Sequence, residues 1–154
     1  MRVAIGQDSH AFAFDNREKP LRLGGVVFEN QPPLRANSDG DVVLHALANA
    51  ISGITGVNIL GKVADDLCQA GITDSRAYVE EALKHPQGKV AHVSVSIECL
   101  LPPISPKITE MRQSIAEMLG IHASGVGITA TTGEGLTAFG QGKGIQAFCC
   151  ITVE

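Results

Sequence analysis

The 154-residue sequence has no C-x-x-C pair, no apolar run long enough to span a bilayer and no excess of positive charge. Each absence removes a class of protein. Cys68, Cys99, Cys149 and Cys150 lack the spacing of a thiolate metal site or a dithiol redox centre, which leaves free thiols, buried or half-buried, in a reducing compartment. A membrane helix needs about 20 apolar residues in succession and none is found. Asp8 and His10 interrupt the one N-terminal apolar run that a signal peptide could use, so the expected location is the cytoplasm. A formal net charge of -4 argues against a broad nucleic-acid surface, so neither nucleic acid nor membrane is an expected partner. Any anionic ligand would need a cation or backbone amides to offset that charge. There is no internal repeat, linker or low-complexity tract. The H-E-x-x-H motif of a zinc hydrolase is missing too.

What is present reads as one soluble domain over residues 1–154, with 44% hydrophobic and 18% charged residues. An apolar segment from Arg2 turns polar at Gln7–His10, as a strand does on leaving a sheet. Residues 22–28 read as a short second strand, and Pro32 and Pro33 break regular structure after it. A helix from Ser38 or Asp39 carries an apolar stripe through Leu44, Leu47, Ala48 and Ile51 and fades at Gly53 and Gly56. Residues 57–73 show no clean period and read as a loop with at most one helical turn, of a length that often marks a binding loop. Thr73 or Asp74 caps a helix over 75–85. Alternation over 90–101 marks a half-buried strand with Val93, Val95, Ile97 and Cys99 inward and Ser94 and Ser96 outward. Ser105-Pro106 opens a helix over 107–119 that Gly120 ends. Strands over 126–132 and 145–153 flank a Gly-rich connection. The expected fold is α/β (α+β): a single mixed sheet of four to five strands with helices on one face. The other face, with Ser94, Ser96 and Thr129, is left for self-association in a closed ring.

Two constellations carry chemistry. Asp8 and His10 are two apart and project to the same side of a strand. His45 lies four residues after Asp41 on the helix, and capping accounts for Ser38, Asp39 and Asp41 but not for an imidazole. A carboxylate and two imidazoles with a fourth position open form a catalytic rather than structural zinc pattern. Further on, Thr131-Thr132-Gly133-Glu134-Gly135 follows a strand directly. Hydroxyls and free N–H groups there suit phosphate oxygens, and Glu134 is an oxygen ligand of the kind magnesium or manganese takes.

Taken together, Asp8-x-His10, the S-D-G-D-V-x-x-H-A-L segment (Ser38 to Leu47), Asp74-Ser75, Met111-Arg112 and the A-T-T-x-E segment (Ala130 to Glu134) resemble the 2-C-methyl-D-erythritol 2,4-cyclodiphosphate synthase family over nearly the whole chain. The family acts in the non-mevalonate route of isoprene biosynthesis. The resemblance implies a lyase, a homotrimer with active sites between subunits, Zn2+ or another divalent transition metal on Asp8, His10 and His45, and Mg2+ or Mn2+ on Glu134. It implies that Thr132 contacts phosphates and that Cys99, Leu100, Leu101, Pro102, Pro103, Ile104 and Ser105 of a neighbouring subunit hold cytidine. Ser38, Asn58, Asp65, Thr131, Gly133 and Gln141 fall at further substrate-contacting positions. The family's substrate is 4-diphosphocytidyl-2-C-methyl-D-erythritol 2-phosphate. Its 2-phosphate attacks the phosphate of the diphosphate nearer the sugar alcohol, closing a ring and releasing CMP.

The chain departs from the family pattern at several positions. Asn37 stands where a histidine thought to stabilise the transition state is usual. Asn49 and Asn58 replace aspartates, the second in a ribose-binding D-I-G. Val63-Ala64-Asp65-Asp66 replaces F-P-D-T, Pro103 a lysine and Gln141 an arginine. Two functions therefore stand side by side: a divergent synthase, and a non-catalytic metal-binding trimer that holds an isoprenoid diphosphate or a protein partner.

Overall fold

The computed structural model covers residues 1–154. Its elements are β1 (Arg2–Ala11), β2 (Leu21–Leu23), β3 (Val26–Phe28), α1 (Val42–Thr55), α2 (Lys62–Gln69), α3 (Ser75–Leu83), β4 (Val90–Glu98), α4 (Ile108–Leu119), β5 (Val126–Thr131) and β6 (Gly144–Val153). Four strands form one mixed sheet in the order β1-β6-β4-β5, with β6 antiparallel to both its neighbours and β4 parallel to β5. This is an α+β fold with four helices, and the number of main-sheet strands sits at the low end of the expected range.

The core forms because each strand alternates. On β4, Val93, Val95 and Ile97 are fully buried while Ser94 and Ser96 are exposed. Helix α1 packs on β1, β6 and α3, so its residues from Val42 to Ala48 are all buried rather than only one stripe. Gly56 ends α1 and Gly120 ends α4, both left-handed. All four cysteines are free. Burial pushes the Cys149 thiol up to about 12, and burial together with nearby Glu98 pushes Cys99 up to about 11, so both stay protonated.

Several boundaries differ from the sequence reading, each for a local reason. The strand expected over 22–28 is a hairpin, β2–β3, turning at Gly24 and Gly25, which both have positive φ. Helix α1 starts later than Ser38 or Asp39, because Asp41 is its N-cap and accepts from the Leu44 N–H at 3.0 Å. The same carboxylate accepts from the Gly24 and Gly25 N–H groups at 2.8 and 2.7 Å, tying the hairpin turn to the helix start. The supposed loop 57–73 contains α2. Its N-cap Gly61 makes no side-chain cap and the helix is only eight residues long, so it is marked only by the apolar face of Val63, Ala64, Leu67 and Cys68. Strand β4 stops at Glu98, well before residue 101, and α3 stops at Leu83. Ser105 is not an N-cap. Ser105–Lys107 is a short 3-10 turn, and α4 follows it without a side-chain cap.

The contact that matters most for function lies between β1 and α1. A methyl group at Gly6 would run into the Ala46 carbonyl oxygen and the Ala50 nitrogen, both backbone atoms that cannot step aside. Gly6→Ala is therefore expected to lower stability by about 3 kcal/mol by forcing the helix off the strand, measured by urea denaturation against wild type.

Candidate metal centre

Asp8 and His10 continue along the face of β1 that carries Gly6, and His45 sits on the first turn of α1, one residue before Ala46. Close strand–helix packing thus delivers the three side chains to one point. His10 Nε2 lies 3.0 Å and His45 Nδ1 2.9 Å from Asp8 Oδ2, and the two ring nitrogens are 3.1 Å apart. Tetrahedral ligation at about 2.0–2.1 Å spaces donors about 3.3–3.4 Å apart, so this triangle would open by only a few tenths of an ångström to take a cation. Residue types, distances and burial all fit a divalent ion. Burial alone pushes the Asp8 carboxyl up. Its hydrogen bonds with His10 and His45 and their charge outweigh that and hold its carboxyl well below the usual carboxylate range, ready as a ligand.

The triad opens into a cavity of about 350 Å³ that also meets Asn37, Ser38 and Asp65, three of the expected site residues. Asn37 is exposed to it, and its loop is pinned from behind. The Lys19 ammonium donates to the carbonyls on either side, Ala36 at 2.8 Å and Ser38 at 2.6 Å. Leu60, Gly61, Ala64, Cys68 and Tyr78 also line the cavity. Leu60 and Ala64 lie in the segments that stand for D-I-G and F-P-D-T, whereas Lys19, Gly61, Cys68 and Tyr78 carry no site signal in the sequence, and the apolar spacing of Tyr78 on α3 points only to burial. Tyr78 donates to the Ile72 carbonyl at 3.0 Å and lies 2.8 Å from Cys68 Sγ. Asn49 is turned to β1, where its amide donates to the Gln7 carbonyl at 3.0 Å.

The remaining expected residues do not join this cavity. Thr131 ends β5 at the opposite edge of the sheet and Thr132, Gly133 and Glu134 follow it, while Cys99 to Ser105 follow β4 beside them. The register puts Glu98 and Thr131 at the same end of the sheet as His10. Three strand spacings of about 4.8 Å, or ~14 Å, separate the edges. This second group is itself coherent. The Cys99 N–H donates to the Thr131 carbonyl and the Leu100 N–H to the Phe139 carbonyl, while the Gln141 amide reaches the Gly135 carbonyl at 3.4 Å. Gly133 lies against the Glu98 carboxylate, and Glu134 takes a left-handed φ of 54 that is uncommon for a side chain-bearing residue. Leu100, Leu101, Pro103 and Ser105 are exposed in this loop, while Cys99, Pro102 and Ile104 are buried. Asn58 is exposed just ahead of buried Ile59, outside the cavity.

Fold and site define a class: an α+β domain carrying an Asp-His-His grip for a divalent cation where an edge strand meets a buried helix. Comparison with known proteins narrows it. The YgbB family model matches residues 1–154, and the chain belongs to that family. It is 52% identical over 155 residues to a 2-C-methyl-D-erythritol 2,4-cyclodiphosphate synthase of Chlamydia muridarum, covering 99% of this chain and 87% of that protein. The Chlamydia felis protein of the same name is 54% identical, with 99% and 88% covered. Among solved structures, the Plasmodium vivax enzyme of that name superposes with a TM-score of 0.81 at 28% identity, covering 99% of this chain and 98% of its own. A Plasmodium falciparum relative solved as a CDP complex gives a TM-score of 0.79 at 26% identity, covering 97% and 93%.

His45→Ala removes one corner of the triangle while leaving the apolar contacts of α1 in place. It is expected to reduce bound zinc from about one per chain to near zero with the helical circular dichroism retained, measured by elemental analysis after dialysis.

Proposed function

We infer that this chain is a cyclodiphosphate synthase: it converts 4-diphosphocytidyl-2-C-methyl-D-erythritol 2-phosphate to 2-C-methyl-D-erythritol 2,4-cyclodiphosphate and releases CMP. The observation that carries this is the Asp8–His10–His45 triangle opening onto a cavity with Asn37 and Asp65, in a chain more than half identical to proteins of that name. Residues 1–154 act as one domain in this reading.

The nucleophile is a phosphate that is already anionic, so no general base is needed. The protein has to hold two parts of one molecule together and offset their charge. Zinc on Asp8, His10 and His45, with magnesium or manganese on Glu134, supplies Lewis acidity to phosphoryl oxygens when bound. The rest falls to the side chains. The Asn37 amide, exposed on a loop pinned by Lys19, donates a hydrogen bond to the reacting phosphates. The Thr132 hydroxyl, which accepts from the Glu134 N–H at 3.4 Å and keeps its own proton to donate, contacts the diphosphate. A cytidine nucleotide ligand is supported by the CDP complex of the Plasmodium falciparum relative, and in this reading the segment from Cys99 to Ser105 holds the cytidine ring.

The two halves of this machinery sit on opposite sheet edges of one chain, which favours a homotrimer in which each metal centre meets the cytidine segment of a neighbour. The free sheet face suits that assembly: Val3 and Ile5 are 57% and 69% exposed there, beside Phe148 at 40%. A cytoplasmic location goes with this function; no helix is long and apolar enough to cross a membrane.

Incubated with the cytidine substrate, zinc and magnesium, the purified protein is expected to release CMP, followed by phosphorus NMR. A metal-loaded protein that releases none would leave the non-catalytic reading instead. Asn37→His is expected to keep or raise turnover in the same assay. Light scattering is expected to give a mass about three times 16.1 kDa, whereas monomer alone would remove the shared-site model.

A further inference from the structure

The metal-facing geometry of His45 is set from behind. We propose that Asp39 and Ser75 form a positioning relay that fixes the tautomer and ring orientation of His45, so that metal affinity depends on the start of α3. This rests on reading Asp8, His10 and His45 as the metal centre.

The direction of each hydrogen bond follows from counting protons. Asp39 is a carboxylate and can only accept. Its Oδ2 accepts from the Ser75 backbone N–H at 3.0 Å, and its Oδ1 accepts the Ser75 hydroxyl proton. A serine hydroxyl has one proton, so what remains on Ser75 Oγ for a third group is a lone pair. That third group is His45 Nε2, at 2.8 Å. Nε2 must therefore carry a proton that it keeps when a cation binds, so the proton Nδ1 gives Asp8 is the one ligation displaces, and the lone pair it leaves is aimed at the position between the Asp8 and His10 ligand atoms. Ser38 Oγ stands 3.3 Å from the same Nε2 and accepts from the Gly40 N–H; its second lone pair is open to Nε2 as well, so it is compatible with the tautomer that Ser75 sets.

The relay is built to stay in place. Ser75 is fully buried, and Asp39 is anchored at both ends, donating its N–H to the Thr73 carbonyl and accepting from the Asp41 N–H at 3.0 Å. Helix α3 does not need Asp39 as its N-cap, because Asp74 already accepts from the Arg76 N–H at 2.9 Å. The contacts of His10, by comparison, run through Nε2 alone. Of the two imidazoles, His45 is the one whose orientation the protein dictates. Partners of this kind behind a ligating histidine orient it and raise its basicity.

Ser75→Ala, Asp39→Asn and the double variant separate positioning from plain structural support. Zinc affinity is measured by competition with a chromophoric chelator, the cobalt-loaded proteins are compared by visible absorption, and thermal midpoints are taken without metal. Ser75→Ala is expected to weaken zinc binding about 10–100-fold and to shift the cobalt bands. The double variant is expected to bind no more weakly than Ser75→Ala, because both changes cut one path. A folded Ser75→Ala with wild-type zinc affinity and an unchanged cobalt spectrum would overturn the relay; if that variant does not fold, Asp39→Asn, at a partly exposed position, decides on the same two readouts. Wild-type protein that takes up neither ion would overturn the metal centre itself, a different failure.

Discussion

The close approach of β1 and α1 at Gly6 is the constraint on which the site depends. Gly6, Asp8 and His10 occupy alternate positions on one face of one strand, so the spacing that the glycine permits is inherited by the two ligands beyond it. His45 adjoins Ala46, whose carbonyl oxygen a methyl on residue 6 would strike. A triangle of donors with sides near 3 Å tolerates little change in that spacing, because ligation energy falls off within a few tenths of an ångström. A packing contact with no chemistry of its own thus sets the geometry of the chemistry.

The polar segment ahead of α1 divides its tasks among neighbouring residues. Asp41 joins the hairpin turn to the helix start through three backbone N–H groups. Asp39 reaches the other way, to Ser75 at the head of α3. Ser38 faces His45, and Lys19 holds the carbonyls on both sides of Asn37. None of these bonds is worth more than about 1–3 kcal/mol, but each buried member left without its partner would cost a similar amount. The network holds a loop with an exposed tip, Asn37, against a rigid base.

The protein is also acidic, with a formal charge of -4, and its proposed substrate is a polyanion. In the proposed function a cation held by Asp8, His10 and His45 would resolve that conflict locally without a basic surface. Under the same proposal, association through the exposed apolar face would bring unlike edges of neighbouring chains, and with them the two groups of residues, together.

Much of the fold was legible in the sequence because the signals are local. Alternation over β4, the left-handed glycines Gly56 and Gly120, and Asp74 ahead of α3 each depend on residues a few places apart. Helix α2 is hard to read because it begins at an uncapped glycine and is only eight residues long, although Val63, Ala64, Leu67 and Cys68 do fall on one helical face. The hairpin at Gly24-Gly25 had a usable signal, two glycines between short apolar runs, that a single-strand reading passed over. For the site, the sequence determined which residue types were available and that Asp8 and His10 share a face. Only the tertiary structure decided that His45, 35 residues beyond His10, turns Nδ1 toward them, and that Ser75, 30 residues further on, meets its other nitrogen. Periodicity states which way a side chain leaves its own element; where two elements meet is decided by how closely their backbones can pack, and that is a property of the whole core.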